Sequence, residues 1–201
     1  EAIDEFIQMQ SQATSDASRG EINLELARLY ILKARYDDDP RTLERANAHL
    51  ERIPQAAPIK PILLSEKLSI EGDQEGASDV LTAATEEHND NTQILVALAM
   101  RLHNKGNTKA AFEFLEQAIG QNEANADLRL AQAFISVEPG SSDAPQILRS
   151  LLDTANDFQL NDIEQNELRA KLFDLAIFIK DVDLARNIGK QLIDRYGSRI
   201  A

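Results

Sequence analysis

Leu63 to Asp90 reads LLSEKLSIEGDQEGASDVLTAATEEHND, and the same plan returns from Ala97 to Glu123 as ALAMRLHNKGNTKAAFEFLEQAIGQNE. Setting Gly72 on Gly106 lays Leu68 on Leu102, Ala77 on Ala111, Leu81 on Leu115 and Ala84 on Ala118, each pair 34 residues apart. A fixed period of this length is the mark of a repeat in which one supersecondary unit stacks on the next. Each copy reads as a first helix, a tight turn and a second helix. Glycine ends the first helix because it accepts a positive φ that other residues resist. Asp73 and Asn107 then cap the second helix. Alanine at 77 and 111 lets two helix backbones approach, and Leu81 and Leu115 lie one turn further along the same stripe. These positions are packing chemistry.

The flanking segments follow the plan more loosely. Upstream, residues 20–57 place Ala27, Tyr30 and Ala34 on one helix and Ala46, Leu50 and Ile53 on the next. The turn between them is longer, with Asp37, Asp38 and Asp39 as caps and Pro40 suited to a first helical turn. Pro54, Pro58 and Pro61 mark the following junction. Downstream, in residues 126–157, Ala144, Leu148 and Leu151 lie 33 residues beyond Ala111, Leu115 and Ala118, and Pro139 with Gly140 stops the first helix. In residues 160–197 Lys180 and Asp181 replace the glycine turn while Ala185 and Leu192 keep the stripe; extra residues from Phe158 to Gln165 lengthen the connection before it or the helix itself. Residues 1–10, with Ala2, Phe6 and Met9 on one face, read as the second helix of an upstream repeat, joined by a loose polar link to Gly20. The expectation is one domain over 1–201 with repeats at 20–57, 58–91, 92–125, 126–157 and 160–197, nine to ten helices in all, and a natural polypeptide that extends upstream.

The period and the Gly, Ala, Leu, Ala order resemble the tetratricopeptide (TPR) repeat; SEL1-like repeats are the second resemblance. The chain departs from the TPR pattern in having no Trp, with Leu95 in that region, and in carrying Leu68 and Leu102 at the usual aromatic site; Ser65 and Ala99 hold the small-residue position. The resemblance implies an all-α, right-handed superhelical solenoid of antiparallel helix pairs whose first helices line a concave face that holds a peptide or protein segment. Carried over position by position, that face would present Arg28, Ile31 and Leu32, then Ile62, Glu66 and Ser69, then Val96, Met100 and His103, then Leu130 and Phe134, and last Ala170, Asp174 and Phe178. The set lacks the Lys and Asn array with which some family members clamp a C-terminal carboxylate.

Met100, Phe134 and Phe178 read either as anchors for a partner or as packing between neighbouring repeats. Arg28 and His103 read either as contacts to a partner's carboxylate or carbonyl or as a solvated face. The three histidines, His49, His88 and His103, fall on separate elements, and Glu86, Glu87, His88 and Asp90 sit where polar residues close a repeat, so no metal site is expected. No cofactor is expected either. No G-x-S-x-G elbow or phosphate-binding glycine loop is present, Gly140 with Ser141 and Ser142 reads as a helix boundary, and no enzymatic role is expected.

Composition narrows the partners. With 34 acidic against 21 basic residues the net charge is -13, which opposes a nucleic-acid backbone. The longest apolar runs, Ile94 to Met100 and Leu172 to Ile179, fall far short of the roughly 20 residues that span a bilayer. Absence of cysteine excludes disulfides and thiolate chemistry but suits either the cytosol or the periplasm. The expected function is a non-catalytic scaffold for another protein or peptide. Its alternatives are a spacer or self-associating module, with a homodimer as one form, and an accessory module for a neutral or cationic polysaccharide. A periplasmic or membrane-anchored parent is preferred to a cytoplasmic one.

Overall fold

The computed structural model describes residues 2–37, 39–121, 125–137, 143–154 and 160–197. These hold eleven α-helices: α1 (Ala2–Gln12), α2 (Asp16–Ala34), α3 (Pro40–Leu50), α4 (Ile59–Ile70), α5 (Gln74–Glu87), α6 (Thr92–Asn104), α7 (Thr108–Gln121), α8 (Ala126–Ser136), α9 (Ala144–Thr154), α10 (Asp162–Phe178) and α11 (Val182–Gly197). Among the described residues there is no strand. The architecture is the expected one, all-α and built of paired antiparallel helices of the TPR-like type. The helix count exceeds the expected nine to ten because five full pairs follow α1. Among the described residues no helix is long and apolar enough to cross a membrane.

The helix ends show why the sequence breaks where it does. At the end of α4 the Gly72 N–H donates to the Ser69 carbonyl at 3.2 Å and the Asp73 N–H to the Leu68 carbonyl at 2.9 Å. The end of α6 repeats both bonds, Gly106 to His103 at 2.8 Å and Asn107 to Leu102 at 2.9 Å. Such a paired closure satisfies the last carbonyls of a helix and needs a left-handed residue between them. Gly72 and Gly106 supply it with φ of 88° and 83°. Lys180 closes α10 in the same way with φ of 62°, its N–H on Ile177 and that of Asp181 on Ala176. Asp73 then accepts from the Gly76 N–H at 2.8 Å, and Asp181 from the Leu184 N–H at 3.0 Å, so each turn ends as a cap for the next helix.

Two readings of the first segment change. The polar stretch before Gly20 is no loose link: α2 begins at Asp16, because the Ser15 Oγ accepts from the Ser18 N–H at 3.1 Å and caps it. The connection shrinks to residues 13–15. Of the three aspartates before Pro40, Asp39 caps α3 through the Arg41 N–H at 3.0 Å. Asp37 accepts from the Asp39 N–H and from Thr42, and the Asp39 N–H and then Lys33 hold its carboxyl below the usual range. Asp38, Pro139, the Gly140 to Ser142 boundary and Phe158 lie outside the described residues.

The chain divides into two compact units, residues 1–98 and 99–201, with the boundary inside α6. In the first, α1 packs on α2, α2 pairs with α3, α4 pairs with α5, and α4 also touches both α2 and α3. Leu26, Ile31, Ala46, Leu50 and Leu63 make its core, with Ile3 and Phe6 of α1 laid against it. In the second, α8 lies between α7 and α9, α10 between α9 and α11, and the first helices α8 and α10 touch directly. Leu148, Leu172, Ala176 and Ile188 centre that core. The alanines and leucines of the repeat, Ala77, Leu81, Ala84, Ala111, Leu115 and Ala118, are all buried.

Candidate functional site

A helix that hands one stripe to the core presents its remaining side chains to solvent or to a partner, so fractional exposure separates the candidates. On α2, Ile31 is 1% exposed. It continues the buried stripe of Ile22, Leu26, Ala27 and Tyr30, and its side chain belongs to the core and to no surface. Leu32, next along the helix, is exposed instead. Arg28 is exposed and lies 3.3 Å from Glu25 one turn back. Glu66 meets Arg35 at 3.5 Å, an ion pair that joins the end of α2 to α4, with Ile62 and Ser69 half-buried on the same helix.

On α6, Val96, Met100 and His103 are half-buried, and the His103 Nδ1 lies 3.1 Å from the Thr108 Oγ1 across the turn to α7. On α10, Ala170 and Asp174 are exposed. Phe134 of α8 and Phe178 of α10 are 46% and 55% exposed. They are exposed apolar side chains of two first helices that touch, with Ile163 and Ile177 of α10 exposed as well.

Asp127 of α8 and Lys171 of α10 face each other across the two helices. The Lys171 Nζ stands 3.9 Å from the Asp127 Oδ1. Phe134 follows Asp127 by seven residues and Phe178 follows Lys171 by seven, so each ring sits two turns beyond the ion pair on the same stripe of its helix. Because α8 and α10 are separated by two chain reversals they run parallel, and both rings stand at the same end of the pair. The other end is acidic. There a cleft of about 470 Å³ has Ala126, Leu130, Leu160 and Leu168 in its walls, and Asp127, Glu164, Glu167 and Lys171 around them.

The carboxylates sit there for a local reason. Asn125 and Asn161 start α8 and α10, the first accepting from the Leu128 N–H at 3.1 Å, the second from the Ile163 and Glu164 N–H groups. Glu164 reaches back to the Asn161 N–H at 2.8 Å and completes a capping box. The positive ends of both helices favour acids in their first turns. Among the described residues Glu167 and Asp174 make no ion pair or side-chain hydrogen bond.

Of the candidates read from the sequence, Leu130 lines the cleft and Phe134, Asp174 and Phe178 are exposed; the cleft residues Asp127, Leu160, Glu164, Glu167 and Lys171 are not among them. The matching interval of seven from Asp127 to Phe134 and from Lys171 to Phe178 was a signal that could have found two of them. Also not among the candidates is Arg169, which is 2% exposed: its guanidinium binds the carbonyl and the side chain of Gln165 and reaches Gln191 on α11 at 3.3 Å. Burial, and then Arg195, pushes its pKa down. This is a structural strut within the second unit.

In the first unit a second apolar cleft, about 520 Å³, opens between α1 and α2 with Ile7, Leu29, Leu32 and Tyr36 in its walls; Tyr36 is 86% exposed. His49 of α3 lies elsewhere, its Nδ1 2.9 Å from the Asn23 Oδ1, which also accepts from Gln10 of α1. Burial first, and then Arg52, lowers its pKa. Among the described residues no group of three or more His, Cys, Asp or Glu side chains is placed to hold a metal ion.

No protein-family model matches the chain, and no curated protein does. Among solved structures it is similar to YrrB, a TPR protein with an unusual peptide-binding site, at 14% identity over 94% of this chain and 91% of that one, with a TM-score of 0.43.

Proposed function

We propose that the chain is a non-catalytic scaffold that binds a segment of another protein on the face made by the first helices of its second unit, α8 and α10. The observation that carries this reading is the pair of half-exposed phenylalanines, Phe134 and Phe178, held at one end of two parallel helices. Buried aromatic anchors dominate binding energy in protein interfaces, and leaving two of them in water in a monomer has no packing benefit. Affinity capture with the immobilised chain, beside a Phe134→Ser, Phe178→Ser variant with the same helical circular dichroism, tests it. Loss of a reproducibly captured protein in the variant supports the reading, and equal capture by both forms overturns it.

Self-association is a second reading, favoured by the α1–α2 cleft, where Ile7, Leu32 and Tyr36 are exposed together. Sedimentation velocity across a concentration series separates the two, since a dimer built on that cleft dissociates on Tyr36→Asp and is indifferent to Phe134→Ser.

A further inference from the structure

The α8–α10 face is polarised, apolar at one end and acidic at the other, and that polarity specifies an occupant. We infer that it binds a basic amphipathic segment in extended form: a hydrophobic side chain rests on Phe134 and Phe178, and a Lys or Arg side chain enters the acidic cleft. This rests on the peptide-binding reading above and names the chemistry of the partner. The cleft is lined by three carboxylates, Asp127, Glu164 and Glu167, against one ammonium, Lys171, and Asp174 is exposed on α10 about one turn beyond Lys171.

The carboxylates are not equally available. Glu164 is partly spent on its capping box and Asp127 faces Lys171, but Glu167 and Asp174 have no partner among the described residues. Such a field attracts a cation and repels phosphate, so nucleic acid and anionic lipid are poor occupants. Apolar side chains in the cleft wall, Leu130 and Leu168, suit the aliphatic stem of Lys or Arg while its head meets the carboxylates.

Spacing follows from helix geometry. Seven residues at 1.5 Å each separate the ring end from the ion pair by about 10 Å. An extended chain covers that in about three residues. The recognised pattern is therefore a large apolar residue with a Lys or Arg about three positions away. Lys171 is the face's own competitor for the acids, so removing its charge strengthens binding.

Short random peptides displayed on phage, panned against the full chain, supply the probes; enriched peptides are then synthesised, labelled and titrated by fluorescence anisotropy. The expected consensus pairs an aromatic or aliphatic residue with a basic one at that spacing. Phe134→Ser with Phe178→Ser weakens binding about tenfold or more, Glu167→Gln with Asp174→Asn about fivefold, and Lys171→Gln tightens it about twofold. The gain in the last variant cannot come from misfolding. Peptides that need both phenylalanines but carry no basic residue, or that ignore positions 167 and 174, overturn the basic-segment inference and leave the peptide-binding reading standing. No enrichment, or enrichment indifferent to all five substitutions, overturns both.

Discussion

Lys171 on α10 lies opposite Asp127 on α8, with 3.9 Å between Nζ and Oδ1, and Phe178 and Phe134 each follow by seven residues, two turns along the same stripe of its own helix. Both members of the pair are more than half exposed, so the contact reports register and adds little stability, about 0–1 kcal/mol. The rings themselves are only half-buried and also contribute modestly. Phe134→Ser and Phe178→Ser are each expected to cost roughly 1 kcal/mol, against roughly 2–5 kcal/mol for Leu172→Ala at a fully buried position of the same unit. Urea midpoints of the three variants check this. A cost for either phenylalanine as large as that of Leu172 would mean that the rings are structural and would remove the basis for a binding face.

Lys180 is expected to be improvable, being the non-glycine residue with a positive φ among the described residues. It occupies with φ of 62° the position that Gly72 and Gly106 fill with the same hydrogen-bond closure. A left-handed conformation costs a non-glycine residue roughly 1–2 kcal/mol, and glycine gives back part of that gain through its greater freedom in the unfolded chain. Lys180→Gly should therefore stabilise by about 0.5–1 kcal/mol, and Gly72→Ala should destabilise by a similar amount. Thermal melts read both, and a lower melting temperature for Lys180→Gly would show that the Lys180 side chain makes a compensating contact.

The helix-pair plan was legible because Gly72, Ala77, Leu81 and Ala84 perform steric tasks that admit few residue types, so their spacing survives in the letters. Lys180 shows the limit: backbone closure is kept by hydrogen bonds that any residue can make, at some cost in strain. Ile31 and Leu32 show another, since adjacent apolar residues on a helix point about 100° apart and only the neighbouring helices decide which is inside. The acidic cleft was illegible for a different reason. Its walls come from the starts of α8 and α10 and from Leu160, brought together by a register that the Asp127–Lys171 pair reveals only in three dimensions.

Ser65 carries a side-chain bond between the two helices of one repeat. It is buried on α4, and its Oγ donates to the Ala77 carbonyl of α5 at 2.7 Å. Ser65→Ala should cost about 0.5–1.5 kcal/mol, the usual net worth of one such bond, because a small side chain still fits the site. Ser65→Leu should cost more by forcing methylenes between two closely packed helices. Equal stability of Ser65→Ala and the unmodified chain in urea would show the hydroxyl to be energetically idle.

Acid should loosen the first unit through His49. Its Nδ1 faces the Asn23 Oδ1 at 2.9 Å, and Asn23 is oriented by its own Nδ2 donating to the Arg19 carbonyl at 2.7 Å. Nδ1 must then carry the hydrogen, leaving Nε2 to take any further proton. The ring stacks on Tyr30 with 5.7 Å between centroids, and the Arg45 guanidinium lies 5.9 Å from the Tyr30 centroid. Burial, and then Arg52, disfavours the charged imidazole, so the folded pKa lies below the ordinary value near 6.5. The unfolded chain therefore takes up the proton first. His49's contribution is complete above about pH 6.5 and is lost as pH falls from there towards the lowered folded value, below which the loss is constant. The slope of unfolding free energy against pH in that window should be positive and should flatten in His49→Gln, whose amide can still donate to Asn23. An unchanged slope in the variant would place the acid sensitivity elsewhere.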